Sequence, residues 1–180
     1  MKREMSRFLH CFVWIGALVL LAAHAARTHA DGLLEVEQAI FGMDCAPCAY
    51  GVEQSLKKLP GTEHVQVSLN DGKASITFRP NSEVTLQDIR NRIVDGGFTP
   101  RSAKIRAVGT VVVRGGEIRL SSGARAVFIL RPNASTSSTL RDVQSGLTLE
   151  ISGVVAEKPG DPPAVTVDSL KLVERPTTDR

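Results

Sequence analysis

The sequence predicts an α+β protein in two parts, a βαββαβ unit over residues 31–103 and a small all-β unit over residues 104–175. Three observations carry this expectation. Before residue 103, apolar residues switch between strand and helix spacing in the order strand, helix, strand, strand, helix, strand. Beyond it the spacing is strand-like, broken by Gly-rich and Pro-rich turns. A Cys-x-x-Cys pair, Cys45 and Cys48, falls where the first strand runs into the first helix, and it does not recur in the second part.

The first thirty residues stand apart. Lys2, Arg3 and Arg7 precede an almost wholly apolar run from Phe8 to Ala23, with small-residue cleavage options ending at Ala25 and Ala30. This three-part pattern predicts a secretory signal peptide over residues 1–30. The run is shorter than the roughly 20 residues of a spanning helix, so stable membrane insertion after cleavage is not expected. The segment holds four of the 22 basic and one of the 19 acidic side chains, leaving 18 of each, formally neutral. The basic isoelectric point therefore belongs to the targeting segment and gives no sign of a nucleic-acid surface. Three of the four histidines lie there too, leaving His64, which is expected at the surface between the first helix and second strand. The expected location is periplasmic or secreted.

Each element of the first unit follows from its spacing. Leu34, Val36 and Ile40 read as a strand ending at Gly42-Met43, and Cys48, Val52, Leu56 and Leu59 as a helix stopped by Pro60-Gly61. Val65, Val67 and Leu69 alternate, Asn70-Asp71-Gly72 signals a hairpin, and Ala74, Ile76 and Phe78 alternate beyond it. Leu86, Ile89 and Ile93 predict a second helix with capping candidates in Ser82 to Thr85, closed by Gly96-Gly97, and Phe98 opens the last strand. This order is the split βαβ, or ferredoxin-like, arrangement.

In the second unit, Val108 to Val113, a Gly115-Gly116 turn, and Ile118 with Leu120 predict a hairpin. Ala126 to Leu130 follow as a third strand, then a Ser/Thr-rich loop, a short helix over 140–144, and strands around 147–155 and 165–172. A polar tail, 176–180, ends the chain. Five strands with a helix between the third and fourth resemble an OB-fold-like barrel; an open β-sandwich piece is the alternative. Nucleic acid is not an expected partner: residues 104–180 carry 11 basic and 8 acidic side chains with Phe128 as the lone aromatic. Single-strand binders need aromatic platforms as well as a basic groove.

The cysteines carry the chemistry. Pro47 suits the first helical turn, which puts Cys45 on the loop and Cys48 where orphan N–H groups and the helix dipole favour a thiolate. Two soft sulfur ligands suit Cu(I), which accepts linear coordination, and Hg(II) for the same reason. A closed zinc site usually needs four ligands. The same pair can close into a disulfide, although a bridge over so short a loop restrains little of the unfolded chain.

Gly42-Met43-x-Cys45-x-x-Cys48, the element order, and Gly97-Phe98 together resemble the heavy-metal-associated domain of copper chaperones, metal-pumping ATPases and periplasmic mercury-binding proteins, over about residues 33–103. The resemblance implies Cys45 and Cys48 as metal ligands, Met43 as a buried prop under the loop, and Phe98 packed beside it. Asp44 departs from the Thr most common in copper-handling members. It reads either as a local turn or cap residue or as a third, oxygen ligand that would move preference toward zinc, cadmium or lead. The zinc and lead pumping ATPases resemble this sequence at that position.

The function expected is therefore an exported, non-enzymatic soft-metal-binding protein, Cu(I) favoured, that sequesters the ion or transfers it to a protein partner. A thiol–disulfide oxidoreductase is the alternative from the enzyme class, since Cys-x-x-Cys at a helix start is also the thioredoxin device. A third reading makes the β unit the partner-binding part and the metal unit a sensor.

Overall fold

The computed structural model describes residues 31–173; the expected signal peptide and the polar tail lie outside the described residues. Strands β1 (Gly32–Phe41), β2 (Thr62–Ser68), β3 (Lys73–Phe78) and β4 (Thr99–Arg114) form the first half of a continuous sheet, in the order β2-β3-β1-β4. Helices α1 (Ala46–Leu56) and α2 (Leu86–Asp95) pack side by side upon it. They bury Ala49, Val52 and Leu56 from α1, and Leu86, Ile89 and Ile93 from α2. This is the ferredoxin-like α+β arrangement expected.

Local signals place the helix starts. Thr85 caps α2 through a reciprocal box: its hydroxyl accepts the Asp88 amide at 3.2 Å, while Asp88 Oδ2 accepts the Thr85 amide at 2.9 Å. In β1, Leu33 rather than Leu34 is fully buried, because a bulge between Leu33 and Glu35 shifts the pairing with β4 by one residue.

The second half uses β5 (Glu117–Ser122), β6 (Ala126–Pro132), β7 (Thr148–Val155) and β8 (Ala164–Leu172), with a short helix α3 (Ser137–Arg141) between β6 and β7. Pairing runs β4-β5-β6-β8-β7 and returns from β7 to β4, so five strands close into a barrel. All its pairs are antiparallel except β6 with β8. The helix starts three residues earlier than expected. The Asn133 side-chain oxygen accepts the amides of Ser135 and Thr136, both at 2.9 Å, and this local turn sets the entry.

The two halves share β4. It runs sixteen residues without a break and carries the division expected between residues 103 and 104 in its interior. One edge pairs with β1 as far as Val108 and then with β5 from Thr110; the other pairs with β7 from Ala103 to Thr110. The strand that would otherwise end the first sheet is thereby covered by the barrel, and one apolar core runs through both halves.

Candidate metal site

The site begins where β1 ends. Gly42 turns the chain at φ +90°, a conformation in which a side chain is strained. Met43 then drops into the core at 5% exposure, as the resemblance implied, and Asp44 stays exposed. Phe98 is half-buried against the same core. Ile40 N–H donates to Gly72 O at 2.7 Å, tying the strand end to the neighbouring hairpin turn.

Cys45 is the residue that caps α1. Its backbone is extended (φ −138°, ψ 148°), its sulfur accepts the Cys48 amide at 3.1 Å, and its carbonyl accepts the Ala49 amide at 3.0 Å. The capping role considered for Asp44 thus belongs to its neighbour. The sulfur satisfies one of the N–H groups that a helix start leaves unpaired, and it sits at the positive end of the helix dipole. Pro47 occupies the first turn, where a missing N–H removes no hydrogen bond.

Cys45 and Cys48 are joined as a disulfide, with Cα atoms 5.1 Å apart and both residues half-buried. In this state neither sulfur is a thiolate. Opened by reduction, the pair offers two soft donors, one at the cap and one in the first helical turn. Among the described residues no group of three His, Cys, Asp or Glu side chains is arranged to hold a metal ion. His64 is exposed, on β2 itself.

Sequence reasoning missed the rim. Phe41 and Tyr50, on either side of the pair in the chain, are 61% and 66% exposed. The Arg101 guanidinium lies 4.7 Å from the centre of the Phe41 ring and donates to Glu157 at 2.6 Å. A cation–π contact and an ion pair thus connect the loop beside the cysteines to the barrel. Two aromatic residues flanking the pair were the available signal. The bridging Arg101 had none, because its partners lie sixty and fifty-six residues away in the chain.

The fold and the site together make a small ferredoxin-like domain with a cysteine pair at the mouth of its first helix. Residues 38–99 match the sequence model of the heavy-metal-associated domain, and the chain carries that domain over this stretch. The probable copper-transporting ATPase HMA5 of Arabidopsis thaliana is 41% identical over 59 residues, which cover 33% of this chain and 6% of that protein. A zinc-transporting ATPase of Synechocystis is 32% identical over 74 residues, covering 40% of this chain and 10% of that protein. The yeast copper transporter domain Ccc2a, solved in apo and Cu(I)-loaded states, is 31% identical over 37% of this chain and 90% of that domain, with a TM-score of 0.35. The chain spans a tenth or less of the length of the two ATPases.

Proposed function

We propose that this protein is an exported carrier that takes Cu(I) as cargo between Cys45 and Cys48 and passes it to a protein partner by ligand exchange. The observation that carries the reading is the Cys45 sulfur at the cap of α1, accepting the Cys48 amide, inside a heavy-metal-associated domain. Sulfur donors and a count of two favour a soft ion over zinc. Relatives named as copper-transporting ATPases support the same choice, while a zinc-transporting relative keeps zinc as the competing cargo. Low coordination suits transfer, because an incoming thiolate can add before a resident one leaves. The role is binding and delivery, without catalysis.

Loading requires the pair to be open. A dithiol reductant gives two electrons and two protons to the disulfide, becomes a disulfide itself, and leaves two cysteine thiols. Cu(I) then displaces their protons. The barrel reads as OB-like: its strand order, its single parallel pair β6–β8 and the helix between its third and fourth strands support that assignment.

The deciding experiment measures Cu(I), Zn(II) and Hg(II) binding to the reduced chain, to Cys45→Ser/Cys48→Ser, and to Asp44→Thr. Tight Cu(I) binding lost in the double variant is expected. Asp44→Thr is expected to weaken Zn(II) relative to Cu(I). Metal binding by the double variant equal to that of the unaltered chain would sink the proposal.

The closed pair favours one second reading, a thiol–disulfide exchanger. Insulin reduction abolished by Cys45→Ser would establish it; inactivity is the outcome expected for a carrier.

A further inference from the structure

Away from the cysteines, a cleft of about 640 Å³ opens between α2, the start of β6 and the loop 159–163. Its volume is that of a small-molecule site. Leu86 and Val94 of α2 line it together with Phe128 and the prolines at 159, 162 and 163. No residue of the loop around Cys45 and Cys48 lines it.

Charge in the cleft is unevenly answered. Arg90 is only 5% exposed, and its terminal nitrogens donate to the carbonyls of Glu157 at 2.8 Å and of Arg101 and Ala156 at 3.0 Å. It forms no ion pair among the described residues, since the Glu157 carboxylate goes to Arg101, and its Nε is buried without a hydrogen-bond partner. Burial disfavours the Arg90 cation, and the Glu157 carboxylate, shared with Arg101, offsets that from beyond ion-pair distance. Arg125, which also lines the cleft, has a side chain 58% exposed and, among the described residues, pairs with Asp88 alone, at 3.6 Å. That carboxylate is already committed to the amide and hydroxyl of Thr85. One acidic group, Asp161, also lines the cleft and opposes a second negative charge in the ligand.

We propose that this cleft binds a small organic carboxylate with a compact apolar body. The carboxylate meets Arg125, with the carbonyl-held guanidinium of Arg90 behind it. The body lies against Phe128, Val94 and the proline loop. Asp161 restricts the ligand to a single negative charge. The site works independently of metal binding, because it shares no residue with the cysteine loop.

The test titrates the isotope-labelled full chain with phenylbutyrate and, in parallel, with the uncharged phenylbutyramide, following backbone amide shifts. Saturable shifts at roughly millimolar concentration, centred on residues 85–94, 125–128 and 159–163, are expected. The amide should bind at least about tenfold more weakly, and Arg125→Gln, a surface change, should weaken the carboxylate to the same degree. Cys45→Ser/Cys48→Ser should leave the titration unchanged. Absence of saturable shifts in those segments overturns the proposal. So does equal binding of acid and amide, or an Arg125→Gln titration that matches the unaltered chain.

Discussion

Gly109 lies face to face with the carbonyl of Ser121: a Cβ on Gly109 would stand 2.2 Å from that oxygen. The contact falls where β4 leaves β1 and takes up β5, between the last β1 pair at Val108 and the first β5 pair at Thr110. Passing one strand from the sheet into the barrel brings two backbones closer than any side chain permits. Glycine is required here by close approach, since no positive φ is involved.

Gly109→Ala should therefore destabilise the chain by about 1–3 kcal/mol, the usual cost of overpacking, because the obstructing atom is backbone and cannot swing aside. Urea unfolding would measure it. A change under about 0.5 kcal/mol would show that the strand crossing relaxes freely. Cu(I) binding by the folded fraction should be unaffected.

Cys45→Ser separates the two roles of that residue. Serine is a strong N-cap, so its oxygen should take over the Cys48 amide and keep α1 intact. Loss of the bridge over so short a loop should cost about 2 kcal/mol or less. Far-ultraviolet circular dichroism is expected to stay the same while stoichiometric Cu(I) binding disappears. Loss of helix content instead would mean that the disulfide, rather than the cap, holds the start of α1.

Thr85→Ala removes half of the capping box on α2 and should cost about 1 kcal/mol. It leaves Asp88 without the Thr85 hydroxyl, so the carboxylate becomes freer to pair with Arg125. Thermal unfolding gives the cost. Phenylbutyrate should also bind more weakly to this variant, because Arg125 is then better neutralised.

Arg106 on β4 donates to Glu35 of β1 and, at 3.1 Å, to Glu150 of β7, and so links the sheet to the barrel. The hydrogen bond from Arg106 holds the Glu35 carboxyl below its ordinary value of 4.5, with the Arg106 charge adding to it against the opposing effect of burial. A depressed folded-state pKa stabilises above the unfolded value and loses that stabilisation as pH falls through the folded one. Stability should thus decline below about pH 4.5 more steeply in the unaltered chain than in Glu35→Gln. Because Glu35 is half exposed, the difference should stay under about 1 kcal/mol and shrink in high salt. Parallel pH profiles would reveal no such signature if the pair were merely incidental.

Features written in short stretches were legible beforehand. The cap-and-turn chemistry of Thr85, the hairpin glycines at Gly72 and Gly115-Gly116, and the cysteine pair at a helix mouth each depend on neighbours within a few residues. The structure places them where spacing put them. The fully buried Gln38 was not legible. Its amide donates to the carbonyls of Arg101 and Ser102, more than sixty residues away, and a polar residue in an alternating strand gives no sign of such partners.

The sequence by itself determined the ferredoxin-like unit and the cysteine pair at its first helix start, because hydrophobic period, capping and turn residues act over a few positions at a time. Only the tertiary structure decided that one strand serves both halves, that Gly109 permits the crossing, and that Arg101 ties Phe41 to Glu157. It also decided that Arg90 is buried beside a cleft with no carboxylate in ion-pair contact among the described residues. Each of these depends on groups distant in sequence meeting across a fold, where desolvation and close approach set the energy, and no local pattern encodes either.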